Sequence, residues 1–267
     1  MTIRVHTSFL VLVMVSLSHA LYSGHLIDMS APSTLPRGAY SVSSRISPPG
    51  GSTSGAGVIF SVDVGLSDRL LVGVGYGGDG LIGRDEVDWY PWPGARIKYH
   101  LFNEPHRRWS VATGVDIQGY SGNAPEYRGF VYKSEGVYVT MGRNYAFFNF
   151  PAEFIMNINY SFEDVDNVHW PNFGIGTNIR INPEIAAIIE YDFATNQQVK
   201  DADPDTYWGI TSGFLNLGFS WRFVSSLQFS LHFRDVFSNR IRSKNYPADD
   251  SVYGWGREIR LEYFSRF

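Results

Sequence analysis

The chain carries the stretch REIRLEYFSRF at residues 257–267, in which apolar and charged side chains alternate. One side of this stretch holds Ile259, Leu261, Tyr263 and Phe267, and the other holds Glu258, Arg260, Glu262 and Arg266. Ser265 is the exception on the apolar side. This period of two predicts a β-strand with one apolar and one charged face. A soluble sandwich strand has the same pattern, because alternation does not reveal which face meets water.

The composition favours strands and turns. The 267 residues include 27 Gly, 16 Tyr, 19 Phe and 7 Trp. The absence of cysteine excludes disulfides, thiolate metal sites, cysteine nucleophiles and a lipidated N-terminal cysteine. The net charge of -4 argues against a nucleic-acid-binding protein, which needs a basic surface.

The first residues predict a secretory signal peptide at 1–20. A basic start at Arg4 precedes an apolar run over residues 9–17, and Ala20 fits a cleavage site. The apolar run is shorter than the ~20 residues that a helix needs to span a bilayer. Since no later apolar segment is long enough either, membrane insertion would have to use strands.

The mature chain predicts a polar lead at 21–37, which we expect in the periplasm, followed by one all-β domain at 38–267. Short alternating runs are separated by Gly, Pro, Asn and Asp clusters. Twelve predicted strands lie near 38–47, 55–67, 69–77, 94–102, 109–120, 135–143, 152–162, 172–182, 184–194, 213–224, 226–237 and 257–267.

The connections between these runs alternate in length. Tight turns such as 182–184 and 225–226 alternate mostly with long loops such as 197–212 and 239–255. This order is typical of an up-and-down antiparallel barrel in an outer membrane, with short periplasmic turns and long outer loops. An even strand number places both termini in the periplasm. A barrel of this width predicts apolar faces toward lipid and charged faces toward a wet lumen.

The terminal strand resembles that of outer-membrane β-barrel proteins, which end on an aromatic residue with apolar residues at alternating positions before it. Phe267, Tyr263, Leu261 and Ile259 occupy those places. The resemblance implies localisation in the outer membrane of a Gram-negative bacterium, contact with its lipid and lipopolysaccharide, and recognition of the last strand by the barrel-assembly machinery.

A second resemblance involves residues 26–45, LIDMSAPSTLPRGAYSVSSR. This segment resembles the start of YjbH-type exopolysaccharide-associated barrels, in which small residues and a Pro-x-Gly turn lead into the first strand. The chain lacks the lipidated cysteine and the length of those proteins. The resemblance suggests an exopolysaccharide role.

No pattern predicts an enzyme or a metal site. Ser230 and His232 have the spacing of a serine–histidine pair, yet the strand period directs both to the lumen, whereas a barrel phospholipase needs them toward lipid. The acidic stretch DADPD at 201–205 lacks the glycine and the distant glutamate of a calcium loop. We therefore expect no catalytic residue, cofactor or metal.

The predicted lumen face carries the candidate functional residues. Its basic members are Arg45, Arg96, Lys98, Arg180, Arg222, Arg234, Arg260 and Arg266. Its acidic members are Asp63, Asp116, Glu190, Asp192, Glu258 and Glu262. This near balance fits a salt-bridged plug that shuts the barrel, or an aqueous channel with basic and acidic tracks.

We expect a porin-like passive channel or translocation component for small hydrophilic solutes. The basic residues on the last three strands and the first predict a mild preference for anions, including anionic small solutes or oligosaccharides, because guanidinium pairs with carboxylates and phosphates. The alternatives are a structural or exopolysaccharide-associated barrel without an open pore, and an outer-membrane enzyme or adhesin. The sequence does not indicate the solute, the oligomeric state, or whether the pore is open.

Overall fold

The structure is a computed structural model that describes residues 24–47, 55–83, 86–103, 109–124, 129–163, 169–197, 208–210, 213–242 and 256–267. The predicted signal peptide and the acidic stretch 201–205 lie outside the described residues. Within those ranges, no helix is long and apolar enough to span a membrane.

The described residues form seventeen strands. They are β1 (Ala39–Ser47), β2 (Ala56–Gly65), β3 (Leu70–Ile82), β4 (Asp88–Trp89), β5 (Gly94–Asn103), β6 (Trp109–Asp116), β7 (Tyr120–Ala124), β8 (Gly129–Tyr132), β9 (Gly136–Phe147), β10 (Phe150–Tyr160), β11 (Asn172–Arg180), β12 (Ile185–Asp192), β13 (Trp208–Ile210), β14 (Phe214–Val224), β15 (Leu227–Arg234), β16 (Arg240–Arg242) and β17 (Gly256–Arg266). A short 3-10 turn spans Thr195–Gln197. The strands β4, β7, β8, β13 and β16 are short and belong to the long loops.

The other twelve strands form one closed antiparallel barrel. We call these twelve strands the wall. Each pairs with the wall strands that come before and after it in the chain, and β1 pairs with β17 to close the ring. At this seam Ser43 lies opposite Glu262, and on the other side of β1 it lies opposite Ser61. Every wall strand thus has two partners, so no backbone edge is left unpaired.

The two rims of the barrel differ. One rim, the short-turn rim, carries tight connections such as Phe148–Asn149, where both residues have positive φ (45° and 69°), and the Asn182 turn, whose side chain accepts backbone N–H groups from Glu184 and Ile185. The other rim, the long-loop rim, carries the long connections. The N-terminal end of β1 and the C-terminal end of β17 both lie at the short-turn rim. This arrangement confirms the predicted antiparallel up-and-down barrel of twelve strands.

The two faces of the wall differ in polarity as predicted. On β17, Glu258 and Arg260 are buried in the lumen, whereas Ile259 and Leu261 point outward and are each 39% exposed. The outer surface carries large apolar side chains on every side, including Phe60, Val74, Ile97, Val139, Ile158, Ile175, Ile189 and Phe219. Because these side chains can only be covered by an apolar medium, the outer surface is suited to lipid.

Residues 24–36, which we call the plug, lie inside the barrel. They belong to the segment that the sequence analysis placed in a periplasmic lead. The plug folds back on itself: His25 pairs with Ser30, and the amide of Ala31 donates to the carbonyl of Gly24 at 3.1 Å. Leu26 and Ile27 at its tip are 1% and 0% exposed. From Pro36 the chain leaves the lumen at the short-turn rim and enters β1.

Candidate functional site

The tip of the plug is held by Glu190, which lies on β12. The backbone amides of Ile27, Asp28 and Met29 all donate to its carboxylate, at 3.0, 3.1 and 3.1 Å. Asn216 on β14 donates to the same carboxylate at 2.8 Å. Glu190 is fully buried, and these donors replace the water that an ionised carboxylate needs.

A charged cluster lies beside the tip. Arg234 of β15 binds Asp28 of the plug at 2.8 Å and Glu258 of β17 at 2.7 Å. Glu258 also receives Arg45 at 3.2 Å and Arg260 at 3.1 Å. His232 lies 3.0 Å from the same carboxylate through Nδ1. Two carboxylates, those of Glu258 and Asp28, thus pair with three guanidinium groups and leave an excess of one positive charge in the cluster.

The base of the folded-back plug is held by Lys98 on β5. Its ammonium group donates to the carbonyls of Gly24 at 2.6 Å and Ala31 at 2.9 Å. Next to it, Arg96 spans Asp63 at 3.0 Å and Asp116 at 2.7 Å. Lys98 is fully buried, so the plug carbonyls take over its hydration.

Glu135, which precedes β9, binds the plug at Ser30. The Ser30 amide donates to it at 2.9 Å and the Ser30 hydroxyl at 2.5 Å. Burial raises the pKa of Glu135 to about 7, and the Ser30 donors act against that shift. The neighbouring His25 has its pKa lowered well below the usual value, first by burial and then by Arg96 and Lys98. The plugged lumen therefore favours a neutral imidazole and shifts Glu135 toward its protonated form.

The apolar side chains of the plug lie over glycines of the wall. A Cβ built on Gly174 would clash with Met29, and one built on Gly176 would lie 2.5 Å from Leu26 Cδ1. Four plug residues form an apolar cluster with Ile155 and Ile188 of the wall, namely Leu26, Ile27, Met29 and Ala31. Glycine inside a strand often marks such a close approach. Here it makes room for the plug.

Two cavities of about 40 Å³ each flank the plug among the described residues, one lined by Asp63, Arg96 and Glu262 and the other by Asn159 and Asn172. Since a water molecule needs about 10–15 Å³ of such volume, each has room for a few waters. Near the long-loop rim, Phe130 and Tyr132 of β8 pack with Ile59 and Tyr90, so a long loop also covers part of this end.

The predicted basic lumen residues take three kinds of position. Five of them bind acidic groups or the plug, namely Arg45, Arg96, Lys98, Arg234 and Arg260. Arg180 and Arg222 are partly buried at the short-turn ends of β11 and β14, and Arg266 is exposed at the end of β17. The sequence placed Arg45, Arg222, Arg234, Arg260 and Arg266 on one basic track. The structure brings Arg45, Arg234 and Arg260 together around Glu258 and leaves Arg222 and Arg266 apart from them.

Two other groups have the residue types of a reactive site. His25, Asp116 and Glu135 place possible metal-ligating atoms within 4.8 Å of one another. Their oxygens already accept hydrogen bonds from Arg96 and Ser30, and the nearby cations Arg96 and Lys98 disfavour a divalent ion. The hydroxyl groups of Ser230 and Ser220 are hydrogen-bonded at 2.9 Å, and Ser230 and His232 are both buried on the lumen side of β15.

Sequence reasoning missed the plug, Glu135 and the lumen-facing glycines. The signals were present: an apolar run around Asp28 is unusual for an exposed lead, and Gly174 and Gly176 interrupt the polar face of a strand. These signals do not show, however, which residues contact one another. The contacts of the plug join residues far apart in the chain, such as Asp28 and Arg234, which are separated by 206 positions.

A closed wall of twelve strands, apolar outside and ionisable inside, decides the class of protein. The protein has the fold of an outer-membrane β-barrel. No family model matches the chain, and no curated protein matches it. This assignment of the fold rests on the strand pairing and the two faces of the wall.

Solved structures similar to this barrel include a porin, an outer membrane protein and an outer membrane channel. The KdgM porin has a TM-score of 0.49 and 8% identity over 85% of this chain and 99% of its own. Omp33 of Acinetobacter baumannii has a TM-score of 0.46 and 7% identity over 85% of this barrel and 97% of its own chain. An outer membrane channel from Pseudomonas putida F1 has a TM-score of 0.44 and 11% identity over 93% and 100%. The resemblance to YjbH-type barrels stays a prediction.

Proposed function

We propose that the barrel is an outer-membrane channel for small hydrophilic solutes and that the plug closes it. The wall beneath the plug carries this proposal. Among its described residues the plug contacts the ionisable groups Glu190, Lys98, Glu135, Arg234 and Arg260. Its apolar side chains pack with Ile155 and Ile188 of the wall in one cluster and with Leu71 in another. Displacement of the plug would therefore leave a hydrophilic lumen.

The charges of this lumen support a mild preference for anions on one side. Arg45, Arg234 and Arg260 share Glu258, and a departing plug would remove Asp28 from the same group. The wall near β5 differs, because Arg96 and Lys98 lie beside Asp63, Asp116 and Glu135. An open lumen would thus have a basic and an acidic side, and small carboxylates or phosphates would follow the basic side. The proposal assigns no catalytic step.

A permanently plugged, structural barrel is the second candidate. The buried ion cluster around Glu258 and the glycines under Met29 favour it, because both match wall and plug closely. The two candidates differ in one measurable property. A channel can be opened by weakening the plug alone, whereas a structural barrel then stays silent or fails to fold.

The charge reversal Asp28→Arg tests the proposal. It places a third cation against Arg234 and Arg260 and removes the ion pair of the plug, while every wall residue is kept. Breaking a buried pair costs about 3–5 kcal/mol, so we expect the open fraction in planar bilayers to rise by at least about tenfold. The matched control, Glu86→Arg in an exposed loop, should behave as the unmodified protein. Folded Asp28→Arg protein without conductance steps would contradict the channel.

The closure should also weaken as the pH rises. The pKa of Glu135 is about 7 with the plug in place, and an opened lumen returns it toward its ordinary value of 4.5. Its contribution to closure is complete below the ordinary value and is lost as the pH rises through the raised pKa. Because His25 is neutral in both states above its ordinary pKa of 6.5, the open fraction should increase between pH 6.5 and about pH 8. This increase should be smaller in Glu135→Gln than in the unmodified protein, and an unchanged increase there would exclude this carboxyl group as a cause.

A further inference from the structure

The wall holds the plug mainly through the plug's backbone. Four consecutive amides, from Ile27 to Ser30, donate to the carboxylates of Glu190 and Glu135. Four carbonyls accept from cations: those of Gly24, Ala31 and Ser33 from Lys98, and that of Ile27 from Arg260 at 3.0 Å. Eight backbone groups of one short segment are thus bound by four ionisable side chains.

These hydrogen bonds recognise a peptide backbone and not a particular amino-acid sequence. Amide N–H and C=O groups recur in every peptide, and carboxylates and ammonium or guanidinium groups bind them strongly where water is excluded. Simple organic acids such as succinate, when ionised, lack the N–H donors that the carboxylates of the wall bind. The wall residues that make these bonds come from β5, β12, β17 and the segment before β9, so they surround the segment.

The side-chain contacts of the plug add requirements of their own. Asp28 pairs with Arg234, which calls for an acidic residue at the tip. Met29 and Leu26 lie close over Gly174 and Gly176, which leave room there for apolar side chains. A peptide with one acidic residue and flanking apolar residues meets all of these requirements.

We propose that this wall is a binding site for short peptides, which the plug occupies as a built-in ligand. The inference rests on the proposed function, and it names the substrate class as peptides with an acidic residue. A tethered plug acts at an effective concentration of the order of millimolar, so an external peptide competes once the plug is weakened. The peptide then takes its place on Glu190, Glu135, Lys98 and Arg260.

The test uses full-length Asp28→Arg protein and three probes. The first is a synthetic peptide with the sequence of residues 24–36, the second is the same peptide N-methylated at the amides of Ile27 and Met29, and the third is succinate. N-methylation keeps all side chains but removes two donors to Glu190. We expect the first peptide to block the conductance, the N-methylated peptide to need at least about tenfold more, and succinate to have no effect at equal concentration.

Wall variants and direct binding complete the experiment. Glu190→Gln in the Asp28→Arg background should weaken the block, whereas Glu262→Gln, an equal charge change on the lumen wall with Gln228 as its hydrogen-bond partner, should not. Fluorescence anisotropy of the labelled peptide measures binding without conductance. Equal potency of both peptides, or no saturable binding, would overturn the peptide site and leave the channel standing. Silent Asp28→Arg protein that still binds only the unmethylated peptide would instead overturn the channel and support the site.

Discussion

A disulfide between positions 29 and 174 should lock the barrel shut. Met29 Cγ lies close to where the sulfur of a cysteine at position 29 would be, and it is 3.2 Å from a Cβ built on Gly174. A C–S bond and an S–S bond of about 2.0 Å together can span this separation. The chain has no cysteine of its own, so the engineered pair has no competing thiol. In the Asp28→Arg background, oxidised Met29→Cys/Gly174→Cys protein should lose its conductance steps, and a reducing agent should restore them.

The single variant Met29→Cys in the same background serves as the control. It should conduct equally under oxidising and reducing conditions, because it has no partner thiol. Mass spectrometry under non-reducing conditions shows whether the cross-link has formed. Steady conductance through fully cross-linked protein would mean that the plug does not obstruct the path of the ions, and the proposed gate would be wrong.

Neutralising Glu258 should have the largest effect on stability. The Glu258→Gln substitution leaves Arg45, Arg234 and Arg260 close together without their shared carboxylate. Leaving buried charges without a partner costs about 3–5 kcal/mol, so we expect a loss of this size in the free energy of unfolding. Urea unfolding of the barrel folded in detergent, followed by heat-modifiable migration in gels, measures the change.

Two comparisons make this result specific. Glu262→Gln removes the same charge from the same strand. Among the hydrogen bonds described for it, the carboxylate of Glu262 accepts only a 3.5 Å bond from Gln228. This substitution should therefore lower the free energy of unfolding by less than about 1 kcal/mol. Adding Arg45→Met to Glu258→Gln removes one of the three cations, while Arg234 keeps its ion pair with Asp28, and should restore part of the stability. If Glu258→Gln and Glu262→Gln unfold at the same urea concentration, the cluster around Glu258 does not stabilise the barrel.

The order of strands was predictable because the wall separates two media. Outward residues such as Phe219 and Trp221 must contact an apolar medium, and inward residues such as Ser220 must contact polar groups, so each strand shows the contrast locally. Turn residues at positions such as 182–184 mark the ends of strands by their own hydrogen bonds. Prediction and structure therefore agree on twelve wall strands and on the inward side of Arg96, Lys98, Glu190 and Glu258.

The state of the lumen was not predictable in the same way. The charged face of each strand is compatible with water, with a partner strand or with a plug, because all three satisfy ionised groups. Arg234 and Arg260 carried the interpretation of a basic track, yet their neighbours in space include Asp28 and Ile27, more than 200 positions away. The sequence contains these residues but not their distances.

The sequence by itself thus determined a closed membrane barrel: its period-two pattern, its turns and its terminal aromatic strand are local features that lipid and water impose on every strand. Only the tertiary structure decided that the lumen is filled and which charges meet there. The physical reason is that the plug is held by contacts of long sequence separation, such as those of Ile27 with Glu190 across 163 positions. Such contacts follow from the closure of the whole ring and not from any single segment of the chain.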